Sequence, residues 1–148
     1  MRKGLERTHL LNVDLDIVSR TPLESLVAAF GRKVDVLDVG KWGRRYGARL
    51  EVGGSGEGNE GAEADRLIRR FVALVEALPK GTRRLWDGAQ LREFSVGIEA
   101  AAKSPLWEWK IQPRTLEGVA RVGARVSVTV YAPERILLSR VAKRKTTR

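Results

Sequence analysis

Apolar and polar residues alternate along much of this chain, and the alternation predicts strands separated by helical stretches. From Leu10 to Val18, Leu11, Val13, Leu15 and Ile17 fall on one side and Asn12, Asp14 and Asp16 on the other, the period of a half-buried strand. Thr21-Pro22-Leu23-Glu24 then reads as a capping box with proline at the first helical position, opening an apolar helix through Phe30 that Gly31 ends. Val34 to Val39 predicts a second strand, Gly40 to Gly43 a turn, and Tyr46, Ala48, Leu50 and Val52 a third strand, completing a hairpin. Gly53 to Gly61 reads as a loop by composition. Ala62 to Leu78 has the helical period, with Leu67, Phe71, Leu74, Val75 and Leu78 on one stripe and Arg66, Arg69 and Arg70 off it. After Pro79-Lys80-Gly81, Thr82 is the expected cap of a short helix containing Leu85, Trp86, Ala89 and Leu91.

Beyond it the period of two returns. Phe94, Val96 and Ile98 alternate with Ser95, Gly97 and Glu99, and Trp107, Trp109 and Ile111 alternate with Glu108, Lys110 and Gln112, predicting two more strands. Pro113 opens a short helix, Gly123 closes it, and Val126, Val128 and Val130 make a last strand that Pro133 stops. Ile136, Leu137, Leu138 and Val141 predict a frayed helical extension. The order is βαββαα and then ββαβ. It implies an α+β fold: a mostly antiparallel sheet of about six strands covered by helices, with a ferredoxin-like βαββαβ start and an appended βαβ segment. A single domain is expected over residues 10–133, flanked by a basic arm at 1–9 and a basic extension at 134–148.

Composition narrows the function classes. The 148 residues suffice for one core. With no cysteine, a disulfide framework, a thiolate zinc site and a cysteine nucleophile are excluded. The N-terminal apolar run is broken by Asn12, Asp14 and Asp16, unlike a signal peptide, and no stretch approaches a membrane span, so a cytoplasmic protein without membrane contact is expected. The net charge of +10 sits mostly in the ends. Arg2, Lys3 and Arg7 face only Glu6 in the arm, and Arg140, Lys143, Arg144, Lys145 and Arg148 face no acid in residues 139–148. Basic tails bind polyanions loosely or keep a protein soluble, whereas a nucleic-acid groove concentrates charge on the folded surface.

Candidate chemistry is sparse. Gly56-Glu57-Gly58-Asn59-Glu60-Gly61 matches G-x-G-x-x-G, but the strand before it is amphipathic and Glu57, Glu60, Glu63 and Asp65 repel phosphate, so no cofactor is expected. Those acids complement a helix dipole instead. Asp14 and Asp16 share a strand side, and Glu99 and Glu108 on neighbouring strands are candidates to join them in binding a cation or in acid/base work. No histidine supports that cluster, His9 lying in the arm, and a solvated outer face is the plainer reading. Lys41-Trp42-Gly43-Arg44-Arg45-Tyr46 interleaves aromatic and basic residues at an exposed hairpin tip, a composition that suits a protein-binding anchor or stacking on bases. Trp86, Trp107 and Trp109 read as an aromatic core.

Arg84-Leu85-Trp86, Arg92-Glu93-Phe94 with Gly97-Ile98, Thr115-Leu116 with Val119-Ala120, and Gly123-Ala124 followed by Val126 to Pro133 resemble a family of small bacterial proteins known only as a domain of unknown function. The resemblance spans Leu10 to Pro133. It implies a small α+β domain, some of whose kind resemble immunity proteins that neutralise bacterial toxins, and it brings no catalytic residues. The expected function is a non-enzymatic bacterial binding module, an immunity-like or accessory factor in a defence or toxin system. It is expected to contact a protein partner through Trp42, Arg44, Arg45 and Tyr46, with the oligomeric state left open. The alternative is nucleic-acid binding through Lys41, Arg140, Lys143, Arg144 and Lys145, in which the basic tails depart from the family pattern.

Overall fold

Strand β1 (His9–Ser19) carries the first alternation and takes the middle of the sheet. The fold is that of a computed structural model, in which residues 7–53, 60–104 and 106–133 are described, Glu60 by its backbone alone. After β1 come α1 (Glu24–Phe30), a 3-10 turn at Gly31–Lys33, β2 (Asp35–Trp42), β3 (Arg45–Glu51), α2 (Glu60–Glu76), α3 (Lys80–Asp87), β4 (Leu91–Glu99), α4 (Pro113–Arg121) and β5 (Arg125–Tyr131). The strand order is β2-β3-β1-β4-β5. β1 pairs antiparallel with β3 and β4, and β2 with β3, while β4 and β5 run parallel. Among the described residues the protein is thus α+β with a mixed five-stranded sheet. No helix among the described residues is long and apolar enough to cross a membrane.

Register puts the apolar side chains on one face. Leu15 lies opposite Leu50 and Phe94, Ile17 opposite Ala48, and Val13 opposite Val96, and all seven are buried. The helices close this face in one core with Leu26 and Phe30 of α1, Ile68, Phe71 and Val75 of α2, Trp86 of α3 and Val119 of α4. Phe71 stacks on Phe94 at 5.7 Å between ring centroids, fixing α2 over the sheet centre. Gly118 lets α4 approach α2 closely, since a Cβ there would meet Val72 at 2.9 Å. Pro113 opens α4 and Gly123, at φ +69°, ends the turn after it.

Several sequence expectations give way. Trp107 to Ile111 forms no strand, so the sheet has five strands among the described residues and not about six. Its alternation is real, with Trp107, Trp109 and Ile111 half-buried between exposed Glu108 and Lys110. However, β5 occupies the open side of β4, and the buried Asp65 carboxylate of α2 accepts the Gln112 backbone N–H at 2.9 Å. The segment therefore packs on the core as an extended crossover; a period of two reports one buried side, not a hydrogen-bonded ladder.

The capping box at Thr21 does not form either. α1 begins at Glu24 without a side-chain cap, while Thr21 donates its backbone N–H to the buried Ser19 hydroxyl at 3.2 Å. Ser19 closes β1 at 2% exposure, and a buried hydroxyl needs a partner, which occupies Thr21. Thr82 does not cap α3: the helix starts at Lys80, and the Thr82 hydroxyl donates back to the Pro79 carbonyl at 3.1 Å.

The fully buried Trp86 joins distant parts of the chain, its Nε1–H donating to the Val122 carbonyl at 2.8 Å. Trp86→Phe keeps most of the apolar volume but orphans that carbonyl, and is expected to cost about 1–3 kcal/mol. Urea unfolding of both proteins at one pH checks this, a loss under about 0.5 kcal/mol counting against a structural role for the bond.

Candidate functional site

Because side chains alternate across a sheet, the residues between the core positions form a second face that the helices leave uncovered. Its rungs follow from the register. Asp38, Arg49, Asp16, Glu93 and Arg125 form one row across all five strands, and Glu51, Asp14, Ser95 and Ser127 form the next. Acids outnumber bases here, although the chain as a whole is basic.

Two carboxylates in this face have opposite surroundings. Asp16, 8% exposed, is held by Arg49 in a two-point contact, Nε to Oδ1 at 2.7 Å and Nη2 to Oδ2 at 3.3 Å. The bond and charge of Asp16 in turn raise the Arg49 pKa. Asp14 lies beside Glu51 across the β1–β3 ladder, and its Oδ2 accepts a long contact from Asn12 Nδ2 at 3.4 Å. Its Oδ1 is shut off from solvent without a partner among the described residues. Burial, then a hydrogen bond with Glu51, then the charges of Glu51 and Asp16 push the Asp14 carboxyl up to about 7, against a smaller opposing pull from Arg49. A carboxyl that holds its proton near neutrality is able to donate or release it, and Asp14 lines neither of the two clefts described below.

The hairpin tip closes one end of this face. Gly43 at φ +63° and Arg44 form a two-residue turn with glycine first, the pattern of a type II′ hairpin. Trp42 does not project outward. Its ring lies flat on Gly47, where a Cβ would fall 1.9 Å from Cδ2, its Nε1–H donates to Asp38 at 2.8 Å, and the Arg49 guanidinium sits 5.8 Å from its ring centre. Tyr46 pairs with Lys41, whose ammonium lies 5.4 Å from its ring centre, and with Ser19, so it faces the helix side. The two aromatic rings expected to anchor together thus lie on opposite faces. Arg44 and Arg45 are exposed, and their side chains make no hydrogen bond or ion pair with any described residue.

The candidate carboxylate cluster does not assemble. Glu99 stands opposite His9 and Tyr131, away from Asp14, and Glu108 pairs with Lys110 at 2.9 Å on the crossover. Glu51 takes the place foreseen for them. It shares the polar parity of Arg49 in the third strand, but only the inter-strand register could reveal its neighbour. No group of three or more histidine and carboxylate side chains among the described residues is arranged to hold a metal ion. Arg140, Lys143, Arg144 and Lys145 lie outside the described residues, as does most of the Gly56–Gly61 motif.

Two clefts lie elsewhere among the described residues. Arg32, Lys33 and Arg70 line one of about 480 Å³ against Asp35, the Arg70 guanidinium already donating to the Gly53 carbonyl. In the other, about 410 Å³, Arg66, Arg69 and Lys110 are each paired with an acid. No family model, curated protein or solved structure matches this chain.

A raised carboxyl pKa means that the folded state binds the proton more tightly than the unfolded chain. Asp14 therefore supports folding fully below its ordinary value of 3.8, and this support is lost as the pH rises to about 7. Asp14→Asn is expected to flatten the dependence of the denaturant midpoint between pH 5 and pH 8; an unchanged slope removes Asp14 as its source. Gly47→Ala forces the Trp42 ring off the sheet and is expected to cost about 1–3 kcal/mol with a red shift of tryptophan emission. Wild-type stability and emission in this variant would contradict the seating of the ring.

Proposed function

We propose that this protein is a non-enzymatic binding module that contacts an acidic patch of a protein partner through the β2–β3 hairpin tip. The observation that carries the reading is the pair of exposed arginines, Arg44 and Arg45, without partners among the described residues, on a hairpin whose tryptophan is seated on Gly47. A stiff, cationic tip loses little freedom on docking, and arginine is the side chain suited to two-point contact with carboxylates.

Trp42 serves as a brace for the tip and not as the plug that enters a pocket. The same geometry favours protein over nucleic acid. The ring best placed to stack on a base is already engaged by Gly47, Asp38 and Arg49, and the face beside it carries Asp14, Asp16, Asp38, Glu51 and Glu93, which repel phosphate. In this proposal the resemblance to small bacterial domains extends the role to an immunity-like or accessory factor in a defence or toxin system, working in the cytoplasm. The order β2-β3-β1-β4 supports a ferredoxin-like core to which α4 and β5 are appended.

The test is a pull-down from the native host with wild-type protein and with an Arg44→Glu, Arg45→Glu variant, before and after nuclease treatment. A protein species retained after nuclease, weakened at high salt and lost with the charge reversal is expected. Capture that the reversal leaves intact sinks the hairpin assignment, and capture abolished by nuclease transfers the role to nucleic acid.

A further inference from the structure

Among the described residues β2 and β5 are the two edges of the sheet, and they are built differently. β2 is blunted: its register with β3 shifts between Val36 and Asp38, and Asp35, Asp38 and Lys41 put charge along it, devices that discourage pairing with another chain. β5 has neither device. Its pairing with β4 runs unbroken from Glu93 opposite Arg125 to Glu99 opposite Tyr131, and its one charged residue, Arg125, pairs with Glu93.

The backbone shows which groups face the free edge. The Tyr131 carbonyl accepts the Ala100 N–H at 2.9 Å. In a parallel ladder a residue directs its N–H and C=O to the same neighbour, alternately along the strand. Arg125, Ser127, Thr129 and Tyr131 therefore turn toward β4, and Val126, Val128 and Val130 turn their backbone groups outward. The same valines carry the apolar side chains. They lie opposite Phe94, Val96 and Ile98, none more than 4% exposed, yet Val128 is 45% exposed and Val130 61%.

We propose that β5 is a self-association edge along which two copies of this chain join, antiparallel, into one continuous sheet. The strand complements itself about Val128. There Val128 meets Val128 of the second copy, Val126 meets Val130, Ser127 meets Thr129 and Arg125 meets the Tyr131 ring, so like charges never face each other. The outward valines supply the paired N–H and C=O groups. A twofold axis perpendicular to the sheet keeps the helices of both copies on one side and the polar faces on the other. The β2 edges then lie outermost, roughly 40 Å apart at the usual strand spacing. This assembly stands whether or not the hairpin reading holds, and where both hold it makes the dimer bivalent.

Light scattering of the full chain across the micromolar range is expected to approach twice the 16.5 kDa chain mass. Val128→Lys sets two ammonium groups against each other across the axis and should weaken association about tenfold or more, with an unchanged circular dichroism spectrum. Val128→Glu should do the same, and mixing the two variants should restore the dimer. A wild type that stays monomeric, a dimer indifferent to Val128→Lys, or a mixture without rescue overturns the proposal. Amide exchange on the unmodified protein decides the matter independently of any variant: protection at Val126, Val128 and Val130 that rises with concentration supports it. Fast exchange, or protection independent of concentration as from another segment of the same chain, refutes it.

Discussion

The register of β1 against its two neighbours is the constraint on which the rest of this structure depends. β1 is hydrogen-bonded on both sides, to β3 and β4, and its side chains divide between a sealed core and an uncovered face. A slip of one residue would carry Asp14 and Asp16 into the core and Leu15 and Ile17 into water. The Asp16–Arg49 contact adds a polar lock to what the apolar side already demands, because only this register sets that carboxylate beside that guanidinium.

The same register creates the unusual electrostatics of the open face. In a chain of net charge +10, burial on the sheet's polar side, together with the neighbouring Glu51 and Asp16, makes the Asp14 carboxyl hold its proton near neutrality. Opposite charges are engaged locally on this face, by Asp16 with Arg49 and Glu93 with Arg125. Burial of Asp14 against Glu51 is tolerated because the core beneath is strong: Leu15, Ile17, Leu50, Phe94 and Val96 are fully sealed.

Much of the scaffold was legible in the chain. The alternation at Leu10–Val18 and at Phe94–Ile98 located strands, and Pro113 and Gly123 bounded a helix, because these signals are local. What escaped was set by tertiary demand. The tryptophan pair at 107 and 109 alternates like a strand, yet Asp65 binds the end of that segment to α2. Thr21 looked like a cap until the buried Ser19 claimed it. At the site, the aromatic and basic residues of the hairpin were visible, but the seating of Trp42 depends on a glycine across the ladder, and the Asp14–Glu51 pair joins residues far apart in the chain. Parity along a strand gives the face of a residue; its neighbour requires the register.

The central place of β1 also bears on synthesis. A strand in the middle of a sheet, sealed on one face, is made here before both of its partners: β3 begins at Arg45, and β4 is complete only at Glu99. At the usual pace of translation, roughly 4–16 s separate the end of β1 from the end of β4. During that interval Leu15 and Ile17 have no finished core to enter, so the nascent chain passes through a stage in which its most buried strand is its most exposed one. The order of synthesis thus bears on how this sheet forms, apart from any question of its final stability.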